Sequence, residues 1–213
     1  MTVFDLAALD AARLQRDPFD FLVVPGFLSS AVLEDVNRDY PVIEDPGNYA
    51  PENLSYGAAF QRVLDGLADP QFLRRMSDKF DVDLMDSAST ITIRKYCEQS
   101  DGNIHTDHWS KIVTMLIYFN PEWSNESGQL RMLRSPSDIE DYAAEVTPLG
   151  GTLLAFRRTD NSFHGHRRFV GERRMLQLSW IRPNRTAQYT QKLARLSTHT
   201  VKRLLRLGGN SPT

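Results

Sequence analysis

Three things are scarce in this chain, and each narrows its class. Cysteine occurs once in 213 residues, at Cys97, so there is no internal disulfide framework and nothing asks for an oxidising compartment. Long apolar runs are missing too: Phe21 to Val24, continued through Pro25-Gly26 to Leu28, is far too short to span a bilayer. The first residues, Met1-Thr-Val-Phe-Asp5, carry neither the basic start nor the apolar stretch of a secretory signal, so a cytoplasmic protein is expected. Acid, finally, stops at Glu172: residues 1–172 carry a net −11 and residues 173–213 a net +9, within a total of −2. So small a net charge does not suit dedicated nucleic-acid binding. The basic tail can meet phosphate, an anionic membrane surface or the acidic body of its own protein, and the last needs no partner.

What is present describes an ordinary globular protein, with 41% apolar and 24% charged residues. Phe19 to Val24 is β-rich and stopped by Pro25-Gly26. Ser29 and Ser30 offer caps to a helix over 31–39, which ends before Pro41. Residues 42–58 read as a long loop, and 59–80 as a helical region broken at Pro70. After residue 87 the texture changes to short strand-like runs at 89–96, 111–119, 129–133, 151–156 and 173–180, separated by turn residues. That is the signature of an all-β sandwich or barrel. Residues 138–144 read as one or two surface helical turns, and 188–207 as an amphipathic basic helix stopped by Gly208-Gly209. The expectation is one domain over 1–213: N-terminal helices to 87, a β core over 88–183, and a basic C-terminal helix over 184–213.

Of five histidines, four fall in two clusters, Asn103-Ile-His105-Thr-Asp107-His108-Trp109 and Ser162-Phe-His164-Gly-His166-Arg167. In an extended chain, residues two apart share a face, so His105 and Asp107 project together. Joined by a later histidine, they make the 2-His-1-carboxylate set of non-haem iron oxygenases. Downstream, Gly171-Glu-Arg173-Arg174 opens the alternating run Met175 to Trp180. An arginine arriving there suits a clamp on a carboxylate.

With these residues in place the sequence resembles the 2-oxoglutarate/Fe(II)-dependent dioxygenases, particularly the prolyl-hydroxylase-like branch. The likeness runs over roughly residues 19–182. Besides the histidine motifs it includes Arg94-Lys-Tyr96, Thr114 through Trp123, Gly128-Gln-Leu130 and Gly150 through Phe156. It implies a double-stranded β-helix (jelly-roll) core with the metal set inside its open end. It also implies His105, Asp107 and His164 as iron ligands, Arg173 on the distal carboxylate of 2-oxoglutarate, and Tyr96 as an assisting hydroxyl. The implied cofactors are Fe(II), 2-oxoglutarate and O2, and the implied reaction is hydroxylation of a C–H bond with release of succinate and CO2.

Other readings stand beside these. His166 could replace His164 as ligand, and Arg174 could replace Arg173, since alternation sends the two arginines to opposite faces. Tyr96 reads equally as a core tyrosine, and His108 and Trp109 as pocket lining or as surface residues. Cys97 reads as an inert buried thiol and His199 as a solvated helix residue. Arginines 131, 134, 157, 158, 167 and 168 could form a positive mouth or pair with the excess acid of the first half. A cupin-like metal enzyme, a zinc hydrolase and a non-catalytic β-helix binding module are the competing functions; Arg173 speaks against the cupin, and a hydrolase has no use for the clamp. The substrate stays open among a peptidyl residue, an amino acid, a sugar and another small molecule, and the basic terminal helix also permits peripheral membrane contact.

Overall fold

The computed structural model describes residues 3–182. Four helices precede the sheets: α1 (Leu6–Ala11), α2 (Ser30–Arg38), α3 (Ala58–Leu67) and α4 (Pro70–Phe80). Pro70 does not bend a continuous helix but starts a new one, where its missing N–H costs nothing and Asp69 caps the turn through Gln71 N at 2.7 Å. The start of α3 is capped from another helix's end: Asp39 accepts from Ala59 N at 2.7 Å. Gly57 permits this, because a Cβ there would lie 2.4 Å from the Asp39 carboxyl carbon.

Eight strands follow or interleave: β1 (Phe21–Val24), β2 (Ala88–Cys97), β3 (Lys111–Tyr118), β4 (Leu130–Leu133), β5 (Tyr142–Val146), β6 (Leu153–Arg157), β7 (His164–Gly165) and β8 (Gly171–Ile181). They form a five-stranded sheet in the order β1-β6-β3-β8-β2 and a three-stranded sheet in the order β5-β4-β7, with every pairing inside them antiparallel. Two antiparallel sheets joined by such crossovers make a double-stranded β-helix, or jelly roll.

The larger sheet buries both faces. On the outer one, Val113, Met115, Ile117, Leu176, Leu178 and Trp180 meet Phe60, Phe72, Met76 and Phe80 of α3 and α4. On the inner one, Phe21, Leu116, Tyr118, Leu154, Phe156 and Met175 meet Leu130, Met132 and Val146 of the smaller sheet.

One expectation is corrected. Residues 138–144 are not helical turns. Tyr142–Val146 is strand β5, an edge strand whose Val146 and Ala144 pair with Leu130 and Met132 and pack on the inner core, so pairing overrides the local Ala-Ala-Glu helix preference. Helix α1 is an addition, and the loop over 42–58 holds a single 3-10 turn at Pro51–Asn53. The basic helix expected over 184–213 and His199 lie outside the described residues. Among the described residues no helix is long and apolar enough to cross a membrane.

Candidate metal centre and anion pocket

His105 and His164 are drawn together by the backbone. Each amide donates to the other's carbonyl, at 3.0 and 2.9 Å, forming an isolated antiparallel bridge. The chain before His105 is fixed on the same side: His166 N donates to Gly102 O at 3.0 Å, and buried Asp101 holds Arg94 and accepts from Glu98 N. Gly102, at φ +92, could not be another residue, since a Cβ would stand 2.4 Å from His166 O.

His105, Asp107 and His164 each present one ligand atom, and these atoms lie within 4.8 Å of one another. Their protonation suits a cation. Nδ1 of His105 faces Asn103 O and Nδ1 of His164 faces Ser162 O, both at 2.9 Å. A carbonyl only accepts, so each Nδ1 carries a proton and Nε2 is the ring nitrogen left to face a cation. Burial pushes the His164 imidazole down to about 4; His105 adds to this, while Asp107 opposes it. Burial would raise the Asp107 carboxyl, but Lys111, His164 and the Thr114 hydroxyl together hold it well below the usual carboxylate range. Two imidazoles and one carboxylate, His105 exposed and Asp107 and His164 buried, fit a divalent metal of the non-haem iron kind.

Arg173 and Arg174 do point to opposite sides. Arg174 turns outward to Glu172, Asn37 and the Tyr40 ring. Arg173 turns inward and is 3% exposed, with Nε on Gly128 O at 2.9 Å, Nη1 on the Met175 sulfur at 3.2 Å and Nη2 on Tyr118 Oη at 3.3 Å. Among the described residues no carboxylate pairs with it. A buried guanidinium without an acid is unfavourable alone and makes a binding site for an anion.

Other candidate residues fall elsewhere. Tyr96 is not in this pocket: it packs against the helix-side core. On a regular strand it would share the face of Arg94, but a register shift between the two intervenes. The hydroxyl beside Arg173 belongs to Tyr118, which sequence reasoning missed although Thr114, Leu116 and Tyr118 alternate onto one face. Lys111 and Thr114, on Asp107, were missed as well. His166 is buried near the site but outside the three-ligand group; burial and Arg173 lower it to about 4. His108 binds Ser110 and stacks with Trp109, whose side is open at 44% exposure. Cys97 is a free buried thiol. The clustered arginines are largely paired: Arg131 with Glu140 and Glu145, Arg134 with Asp17, Arg158 with Asp160 and Arg167 with Glu140.

Residues 91–182 hold the donor set and Arg173. They match the 2OG-Fe(II) oxygenase superfamily. That superfamily's cofactors are Fe(II), 2-oxoglutarate and O2, and the donor set just described fits such an iron. Solved structures agree on the fold. A Pseudomonas putida prolyl-4-hydroxylase is 17% identical at a TM-score of 0.53, with 84% of this chain and 93% of that one covered. A Trichoplax adhaerens prolyl hydroxylase, solved with a hypoxia inducible factor peptide fragment, is 18% identical at 0.54, with 76% and 83% covered. The viral collagen prolyl hydroxylase of Paramecium Bursaria Chlorella virus-1 is 12% identical at 0.50, with 78% and 96% covered. No curated protein matches by sequence. The chain thus resembles the 2OG-Fe(II) oxygenase superfamily in sequence over residues 91–182, and these prolyl hydroxylase structures in fold.

Proposed function

We propose that this protein is an Fe(II)- and 2-oxoglutarate-dependent dioxygenase that hydroxylates a C–H bond of an organic substrate. The observation that carries the reading is a pairing of two features in one inter-sheet space. One is a His-Asp-His donor set of the right chemistry; the other is a buried guanidinium that lacks an acid partner. A zinc hydrolase or cupin-like enzyme would use the first and leave the second without a purpose.

His105, Asp107 and His164 would hold the iron, their orientations fixed by Asn103 O, Ser162 O, Lys111 and Thr114. Arg173 would bind the distal carboxylate of 2-oxoglutarate, with the Tyr118 hydroxyl alongside. The iron and its cosubstrate, when bound, would supply oxidative decarboxylation with O2, giving succinate, CO2 and a hydroxylated substrate. The chain's own contribution is position and dryness. Leu116, Leu154, Phe156, Met132 and Met175 line the space between the sheets and keep water from the reacting groups.

For the substrate, a peptidyl residue stands beside a sugar or another small molecule, since three of the fold relatives are prolyl hydroxylases. The test is an anaerobic titration of the protein with Fe(II) and then 2-oxoglutarate, following visible metal-to-ligand charge transfer. A band that needs both additions and is lost in His164→Ala is expected. Iron binding without any response to 2-oxoglutarate would move the proposal to a metal enzyme of another kind.

A further inference from the structure

Lys111 is a lysine where lysines are seldom found. It opens β3, its side chain is 8% exposed, and its ammonium donates to Asp107 Oδ1 at 2.7 Å. Thr114 Oγ1 donates to the other oxygen, Oδ2, at 2.5 Å. Both oxygens of the donor set's carboxylate are thus already engaged by the chain itself. A divalent cation has to share one of them with an ammonium.

The buried charges point the same way. Asp107 contributes one negative charge to this space, while Lys111 and Arg173 each contribute a positive one; Arg94 and Asp101 cancel as a pair. The protein's own charge there is therefore positive before a metal arrives, in surroundings where water and salt screen poorly. Such a site resists a bare divalent cation. A cation accompanied by a dicarboxylate is accepted much more readily, because the anion offsets both Arg173 and Lys111.

We propose that Lys111 sets the metal affinity of this site, competing with the divalent cation for Asp107 and making tight cation binding conditional on an anionic co-ligand beside Arg173. The proposal rests on the reading of His105, Asp107 and His164 as metal ligands. Lys111 acts here through Asp107, as a positioning residue. A lysine with a merely structural role would affect stability and leave cation affinity no tighter when removed.

The experiment measures Mn2+ binding by calorimetry, with and without saturating 2-oxoglutarate, for the full-length wild type, Lys111→Gln and Lys111→Arg, each checked by circular dichroism. Gln keeps an N–H donor toward Asp107 and removes the charge; Arg keeps the charge. Lys111→Gln should bind Mn2+ alone about tenfold more tightly than wild type, with Lys111→Arg within about threefold of it. The gain in Mn2+ affinity on adding 2-oxoglutarate should be about tenfold smaller in Lys111→Gln than in wild type. Equal or weaker Mn2+ binding by folded Lys111→Gln, in a wild type that does bind, overturns the role of Lys111 and leaves the metal site standing. Should Lys111→Gln fail to fold, Lys111→Met is held to the same criterion. Absence of Mn2+ binding in wild type and in both neutral variants, with 2-oxoglutarate present, overturns the metal-site reading and this proposal with it.

Discussion

The two faces of the five-stranded sheet follow different rules, although the same strands build both. Strand β8 shows it within a few residues. Leu176, Leu178 and Trp180 face α3 and α4, while Arg173, Met175, Gln177 and Ser179 alternate with them on the inner side. In β3, Val113, Met115 and Ile117 face the helices, while Thr114 holds Asp107 and Tyr118 meets Arg173. A side-chain period of two lets one strand carry a packing row and a chemical row without compromise between them. The outer row is uniformly apolar because it contributes stability. The inner row mixes apolar floor with a few polar groups, some of which are unfavourable until a ligand arrives. Stability and binding are therefore separable by face.

The largest effect that tests this separation is on the outer face. Phe72 is wholly buried between Phe4, Phe27 and Trp180. Phe72→Ala should cost about 3–5 kcal/mol in urea unfolding, while the molecules that remain folded bind metal and 2-oxoglutarate as wild type does. Loss of binding in the folded fraction would break the separation. On the inner face the pattern should invert. Arg173→Met should weaken 2-oxoglutarate binding by about a hundredfold, a loss of roughly 2.7 kcal/mol. Its melting temperature without ligand should not fall, because a buried cation without an acid partner is itself destabilising. Tyr118→Phe should follow with about a tenfold loss in 2-oxoglutarate affinity, since one hydrogen bond to a charged group goes with the hydroxyl.

The sequence carries these rows unevenly. Alternation alone was enough to divide Arg173 from Arg174, and the His-x-Asp spacing with a later histidine was enough to suggest a donor set. Tyr118 was equally readable in the Thr114-Met-Leu-Ile-Tyr118 run, by the same alternation. Tyr96, named through the resemblance and equally readable as a core tyrosine, packs on the helix side; the register shift between β2 and β8 that turns it there leaves no mark in the chain. The reading of 138–144 as helix failed for another reason. Ala-Ala-Glu favours a helix locally, and only the presence of β4 alongside makes it a strand. Lys111 carried the least signal of all: a lysine at the start of a strand reads as a surface residue until Asp107 folds against it. Local pattern therefore revealed which residues share a face. Which partner waits across the sheet was a matter for the fold.

A smaller change sharpens the comparison from a greater distance. Asp69 caps α4 through Gln71 N, and α4 is the element that lays Phe72, Met76 and Phe80 on the outer face. Its carboxylate also sits at the positive end of that helix's dipole. Asp69→Ala leaves every packing contact in place and removes only the cap, so it should lower stability by about 1 kcal/mol. The cap lies on the layer opposite the metal site, with the whole sheet between them. If the faces are separable, calorimetric Mn2+ affinity with 2-oxoglutarate present stays within about twofold of wild type while the urea midpoint falls. A change in both together would mean that the helices on the outer face help to set the spacing of the two sheets, and that stability and binding are coupled through β3 and β8 after all.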